Sequence, residues 1–224
     1  LALAVPDNFD PKANMLINAS GLHSVRDTMN HAARLVSQGG SEDLKLAGKM
    51  IDAVIQCQER RPNDANYGNF LWYKENAAVE DLNGVSFTLG NMIPIMIHHC
   101  DRLHEDLRGR IFASIRLGLE ATKQLDVSLW YTNIALFDIE NTCLGGELLQ
   151  DEEIIARGRQ KLVQWMTLTD QFGIPFEYNS PTYTGVAIGS LSSLAKNSKH
   201  RDTRVRARTA LARIGLSVAL HVHP

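Results

Sequence analysis

The stretch Gly84–Cys100, GVSFTLGNMIPIMIHHC, decides the fold. It contains no Asp, Glu, Lys or Arg, and a charged segment, Glu105–Lys123, follows it almost at once. In that second segment Leu107, Ile111, Ile115 and Leu119 recur every four residues, which places one apolar stripe on an otherwise polar helix. A charge-free helix needs cover around most of its circumference, whereas a helix with one apolar stripe borders water. The pair therefore predicts an inner helix followed by an outer one.

The same pairing recurs along the chain. Val127–Phe137 (VSLWYTNIALF) is followed by the charged Asp151–Thr169, and Asn179–Ala195 (NSPTYTGVAIGSLSSLA) by His200–Val218, whose stripe is Leu211, Ile214 and Val218. A first hairpin is expected from Ser24–Ser37, with Val25, Met29, Ala32 and Val36, and Ser41–Glu59, with Leu44, Ala47, Ile51 and Val54 or Ile55. Gly39-Gly40-Ser41 between them reads as a helix stop and a restart. No run alternates with period two, so no sheet is expected. The class is all-α. About four hairpins alternate inner and outer helices roughly every 50 residues, within a single domain over residues 1–224. Such an array buries each hairpin against its neighbours, as a toroid or an arc. An irregular helical bundle is the weaker alternative.

Composition narrows the function classes. The formal net charge of −2 gives no reason to expect nucleic acid or an anionic membrane surface as a partner, and the basic run Lys196–Arg208 reads as a solvated helix face. No apolar run has the ~18 residues of a membrane span. The opening LALAVP reads as the trimmed end of a leader or a cloning remnant, and the sequon Asn18-Ala19-Ser20 matters only in a secreted protein. The compartment stays open. Cys57, Cys100 and Cys143 are odd in number and widely spaced, which favours buried free thiols. No cofactor motif appears. His98-His99-Cys100-Asp101 is poorly spaced for a metal, since adjacent helical positions point about 100° apart. His221-x-His223 is at most half of a site, so no metal is expected.

The segments entering the inner helices are long and rich in aromatic and hydrogen-bonding residues: Asn63–Asp81, Asp126–Asn133 (DVSLWYTN) and Gly173–Thr184 (GIPFEYNSPTYT). If the hairpins close in register, these segments meet at one end, where sites on rigid scaffolds are usually built. Ser180-Pro181 has the form of a helix start, Ser capping free N–H groups and Pro at the first helical position. Around it Glu177, Tyr178 and Tyr183 are candidate catalytic groups, with Asn179 beside them as a binding residue. Trp72, Tyr73 and Lys74 form a second wall for binding, with Glu75 as a further catalytic carboxylate; Trp130, Tyr131 and Asn133 form a third. His23, just before the first helix, is a candidate at the same mouth. Asp138 and Glu140 are either carboxylates directed into a cavity or, as the favoured reading, exposed residues at a helix end.

Alternating inner and outer helices with an aromatic, Asn- and Tyr-rich mouth resemble the (α/α) toroids of carbohydrate-active enzymes, the polysaccharide lyases and inverting glycoside hydrolases. The resemblance is architectural, and toroids of that kind carry more hairpins than the four read here. It implies a ring completed by another chain or a further segment, or else an open arc. It also implies a small-molecule or oligosaccharide substrate, acidic or neutral, cleaved by β-elimination or by hydrolysis. In elimination a Tyr or His takes the proton next to a carboxylate, Asn133 and the helix start at Ser180 stabilise the developing charge, and Tyr183 or Tyr178 protonates the leaving oxygen. Hydrolysis with inversion needs two carboxylates about 6.5–9.5 Å apart, Glu177 with Glu75 or Glu140. Two other readings stand beside these: a dehydratase or isomerase of an apolar substrate on the same scaffold, and a non-enzymatic helical-repeat binding module.

Overall fold

The computed structural model describes residues 5–221. The fold is all-α, with eight α-helices and one small sheet among the described residues. The chain divides into two compact units, residues 1–125 and 126–224.

The first unit opens on a three-stranded antiparallel sheet: β1 (Phe9–Asp10), β2 (Met15–Ile17) and β3 (His23–Ser24), with Phe9 opposite Leu16 and Leu16 opposite Ser24. This corrects the expectation of no sheet; strands of two or three residues are too short to display an alternating pattern. Helices α1 (Val25–Gln38) and α2 (Ser41–Ile55) form the first hairpin, α3 (Gly84–His99) and α4 (Glu105–Leu125) the second. Ser24 caps α1 by accepting from the Asp27 N–H, and Gly39 closes it in the left-handed conformation at φ 76°. Arg102 then donates to the carbonyls of Val36 and Ser37 at 3.0 and 2.8 Å, satisfying the last turn of α1.

Helix α1 packs on both α2 and α3, and α4 packs on both α3 and α2, so inner lies beside inner and outer beside outer. Met29, Leu35, Met50, Ile51, Leu89 and Met92 are among the fully buried side chains that fill the unit. The predicted second helix ends at Ile55 rather than Glu59, because residues 57–59 pair with the following loop. Gln58 bridges Phe70, its amide donates to the carbonyls of Gly68 and Ser114, and Glu59 N–H donates to Asn69 O. Gly68, at φ 91°, sits so close to α4 that an added Cβ would lie 2.3 Å from the Leu117 carbonyl oxygen.

The second unit is the hairpin α5 (Thr132–Leu149) and α6 (Glu152–Phe172) beside the hairpin α7 (Pro181–Asn197) and α8 (Arg201–His221). Inner α5 packs on inner α7, and outer α6 on outer α8. Gly158 permits close crossing of α5 and α6, since a Cβ there would lie 2.8 Å from the Cys143 backbone nitrogen. The expected stripe of α8 is shifted. Thr203, Ala207, Ala210 and Ile214 are buried, whereas Val218 is exposed. Small residues let the helix approach its neighbours along that line. Charge-free α7 is covered less than expected, with Tyr183, Gly185, Ile188, Gly189 and Ser192 exposed.

Helix α5 shows the opposite mismatch. Asp138 and Glu140, expected to be exposed, are buried, because the helix runs on to Leu149 and both fall in its middle. Asp138 survives there through two cations of α6: Arg157 at 2.6 Å and Lys161 at 2.7 Å, both of which also reach Asp126. A buried charge needs such pairing. Glu140, 6% exposed, has no cation, and burial pushes its carboxyl up to about 7. Ser193 eases that cost, while the Ser190 hydroxyl stands nearby outside hydrogen-bond geometry.

Candidate functional site

The helix starts of the second unit carry the densest group of candidate residues. Ser180 caps α7 by accepting from the Tyr183 N–H at 3.3 Å, with Pro181 at the first helical position, as the sequence predicts. Just upstream, Glu177 takes a left-handed conformation, φ 66°, unusual for a residue with a side chain. This turns its carboxylate onto the start of α5, where Oε2 accepts from the Asn133 backbone N–H at 2.8 Å. The Asn133 amide donates to both carboxylate oxygens, at 2.9 and 3.1 Å. Two segments 44 residues apart are thereby locked together.

An aromatic cluster surrounds this contact. Trp130 lies edge-on to Phe176 at 4.1 Å and to Phe172 at 5.3 Å, and Phe172 meets Phe176 at 5.1 Å. Trp130 is nevertheless 50% exposed, Tyr178 55% and Tyr183 43%, and Tyr131 is also open to solvent. Beneath them is a small pocket of about 30 Å³, lined by Thr132, Glu177, Tyr178, Tyr183 and Ser217 together with apolar neighbours. Asn179 lies outside that pocket and lines a wider groove of about 490 Å³ with Ile188 and Val218. Another groove, of about 470 Å³, runs between α6 and α8 past Trp165 and Leu220.

The first unit gathers the other candidates. Residues 72–75 pair antiparallel with the start of α1: the Val25 N–H donates to Trp72 O, Ser24 bridges Tyr73, and the Lys74 N–H donates to His23 O. That register delivers Glu75 to His23. The His23 ring is held at Nδ1 by Glu75 and at Nε2 by Asp10, 3.0 Å away, and the His23 backbone N–H also donates to Glu75. Both carboxylates hold the imidazole above its usual pKa, Glu75 the more strongly. The His23 contact holds Asp10 below the usual carboxylate range. For Glu75 partial burial acts against ionisation, yet the hydrogen bonds from His23 prevail and its pKa is also lowered. Beside this group the Arg26 guanidinium lies 4.5 Å from the Phe87 ring centroid, and Trp72 meets Phe87 edge-on at 5.6 Å. Tyr73 is half-buried and Lys74 exposed.

Thus Trp130, Tyr131 and Asn133 come together with Glu177, Tyr178 and Tyr183 in one unit, and His23 comes together with Trp72–Glu75 in the other. Asp10, Arg26, Phe87, Phe172, Thr132 and Ser217 enter these groups without having been singled out in the sequence. Thr132 lies inside the quoted DVSLWYTN, and a helix start was the one available signal; Asp10 has none, since it is reached through the unforeseen sheet.

Among the described residues no group of three or more His, Cys, Asp or Glu is arranged to hold a metal ion. His223 lies outside the described residues. Cys57 and Cys143 are buried and Cys100 half-buried, all as free thiols; burial pushes Cys57 up to about 11, which makes it a poor nucleophile. No helix among the described residues is long and apolar enough to cross a membrane.

Each unit pairs inner and outer helical hairpins, and each gathers aromatic and carboxylate residues near an inner-helix start. The chain belongs to the family described as Domain of unknown function (DUF8769), whose model matches residues 2–214. No curated protein and no solved structure matches it.

Proposed function

We propose that the chain is a carbohydrate-active enzyme that cleaves a glycosidic bond at the helix-start face of its second unit. One observation carries the reading: Trp130, Tyr131, Tyr178 and Tyr183 are all solvent-exposed around one fixed carboxylate, Glu177. Flat exposed rings offer a sugar face apolar contact, and phenol and carboxylate groups at their edge bond its hydroxyls. The Asn133 amide is committed to Glu177, so it does not serve a substrate carboxylate in the way elimination requires. This leaves Glu177 and the two phenols as the groups for acid–base work.

The test is incubation with panels of neutral and uronate polysaccharides, following both released reducing ends and ultraviolet absorbance of unsaturated products. Calorimetric binding of the same polymers accompanies it. Trp130→Ala is expected to weaken binding about tenfold, or ~1.4 kcal/mol. Failure of every polymer to bind, or an unchanged Kd in Trp130→Ala, would refute the reading. The mutual engagement of Asn133 and Glu177 favours a second reading, a non-enzymatic saccharide-binding module, and binding without any product would select it.

A further inference from the structure

We propose that the small pocket behind Glu177 holds one water molecule between the Thr132 hydroxyl and the Glu177 carboxylate, and that this water is the attacking group. The second half rests on the saccharide reading above; the first half does not. Thr132 is 3% exposed, its Oγ1 has no hydrogen-bond partner among the described residues, and it lines the pocket. A buried hydroxyl left unbonded costs about 1–3 kcal/mol, so the site calls for a partner the protein does not supply. The space is about 30 Å³, enough to hold a water.

Lone-pair counting points the same way. A carboxylate oxygen accepts about two hydrogen bonds. Glu177 Oε2 receives two, from the Asn133 backbone and amide, whereas Oε1 receives one. Glu177 keeps one acceptor position on Oε1, and Thr132 and Glu177 line the same pocket together with Tyr183 and Ser217. A water seated there donates to Glu177 and accepts from Thr132, which leaves a lone pair for attack.

Hydrolysis requires such a water and elimination does not, so a water held there favours hydrolysis. The water oxygen forms a bond to the anomeric carbon while the glycosidic carbon–oxygen bond breaks. The water proton passes to Glu177, and the Tyr183 phenol, in place of the second carboxylate that inverting hydrolysis ordinarily uses, gives its proton to the departing oxygen; solvent then re-protonates the phenolate as Glu177 releases its proton. Thr132 acts through the water and is a positioning residue.

High-resolution crystal structures of the chain and of Thr132→Val decide the first half. The expected result is an ordered water within hydrogen-bond distance of Thr132 and Glu177 in the parent, and its loss in the variant with the backbone unchanged. A dry pocket, a side chain filling it, or a Thr132 hydroxyl bonded to a protein group would overturn it. The second half is read on whichever polysaccharide the parent cleaves. Thr132→Val is expected to lower kcat at least tenfold with KM unchanged, and Thr132→Ser to restore it. Unchanged turnover in Thr132→Val, or unsaturated product from the parent, would overturn the attack role while the water stands. If no polysaccharide binds, the saccharide reading falls and the attack role with it, and the crystal structures still decide the water.

Discussion

Replacing Glu177 separates the two physical effects that meet at this residue. Its carboxylate accepts three hydrogen bonds from Asn133, one of them from the backbone N–H in the first turn of α5, and it does so at φ 66°. A hydrogen bond to a charged group contributes about 1.5–3 kcal/mol, and loss of a helix cap costs about 0.5–2 kcal/mol. The contact is only partly buried, so water recovers some of the loss, and Glu177→Ala should destabilise by about 2 kcal/mol. Glu177→Gly loses the same cap but removes the left-handed penalty of about 1–2 kcal/mol, against about 0.4–1 kcal/mol of extra freedom in the unfolded chain. Glycine should therefore be the milder change by roughly 0.5–1 kcal/mol. For a chain of this length 1 kcal/mol shifts Tm by about 2–4 °C, giving a drop of about 4–8 °C for alanine and distinctly less for glycine. Melting followed by far-ultraviolet circular dichroism reads both. Asn133→Ala combined with Glu177→Ala should cost little more than either alone, since both remove one contact. An unchanged Tm in Glu177→Ala, or a glycine variant less stable than the alanine one, would refute the capping account.

Three further outcomes are expected. The His23 group contributes to stability within a pH window: the raised His23 pKa makes its part fully present below the unfolded value of 6.5 and lost as pH rises through the folded one, while the lowered Asp10 and Glu75 lose theirs as pH falls through their folded values. Urea midpoints should therefore be highest in mildly acid solution and decline on both sides, and His23→Gln should flatten the alkaline decline; an unaltered profile would rule the clasp out. Glu140 behaves oppositely to a paired acid: folded protein keeps a proton up to about 7 that the unfolded chain releases near 4.5, so stability falls with pH across that interval. Glu140→Gln should remove this slope and raise the urea midpoint at alkaline pH, and a midpoint lower than the parent's there would contradict it. Asp138→Ala leaves buried Lys161 with only the exposed Asp126, and should cost about 3–5 kcal/mol in urea unfolding; a cost under 1 kcal/mol would show the network to be dispensable.

How far the site was legible follows from the kind of interaction involved. Ser180-Pro181 was readable because capping is local, decided within four residues. The gathering of aromatic residues at inner-helix starts was readable as composition. That Glu177 would cap another helix was not, because its partner Asn133 lies 44 residues away and only a left-handed turn directs the carboxylate there. His23 and Glu75 were singled out separately, and their contact depends on an antiparallel pairing across 52 residues.

Charge was the sequence signal that worked for hairpins and failed for individual helices. The alternation of bare and charged segments marked three inner–outer pairs and apolar periodicity the first hairpin, because that periodicity and the cost of burying an unpaired charge are properties of each segment alone. Tertiary structure decided which charges are buried. Helix α5 carries Asp138, Glu140 and Glu147 in its interior because α6 supplies Arg157 and Lys161 to the first, Ser193 stands beside the second, and Ser198 and Lys199 bond the third. A charge is expensive to bury only without a partner, and partners come from elements distant in the chain.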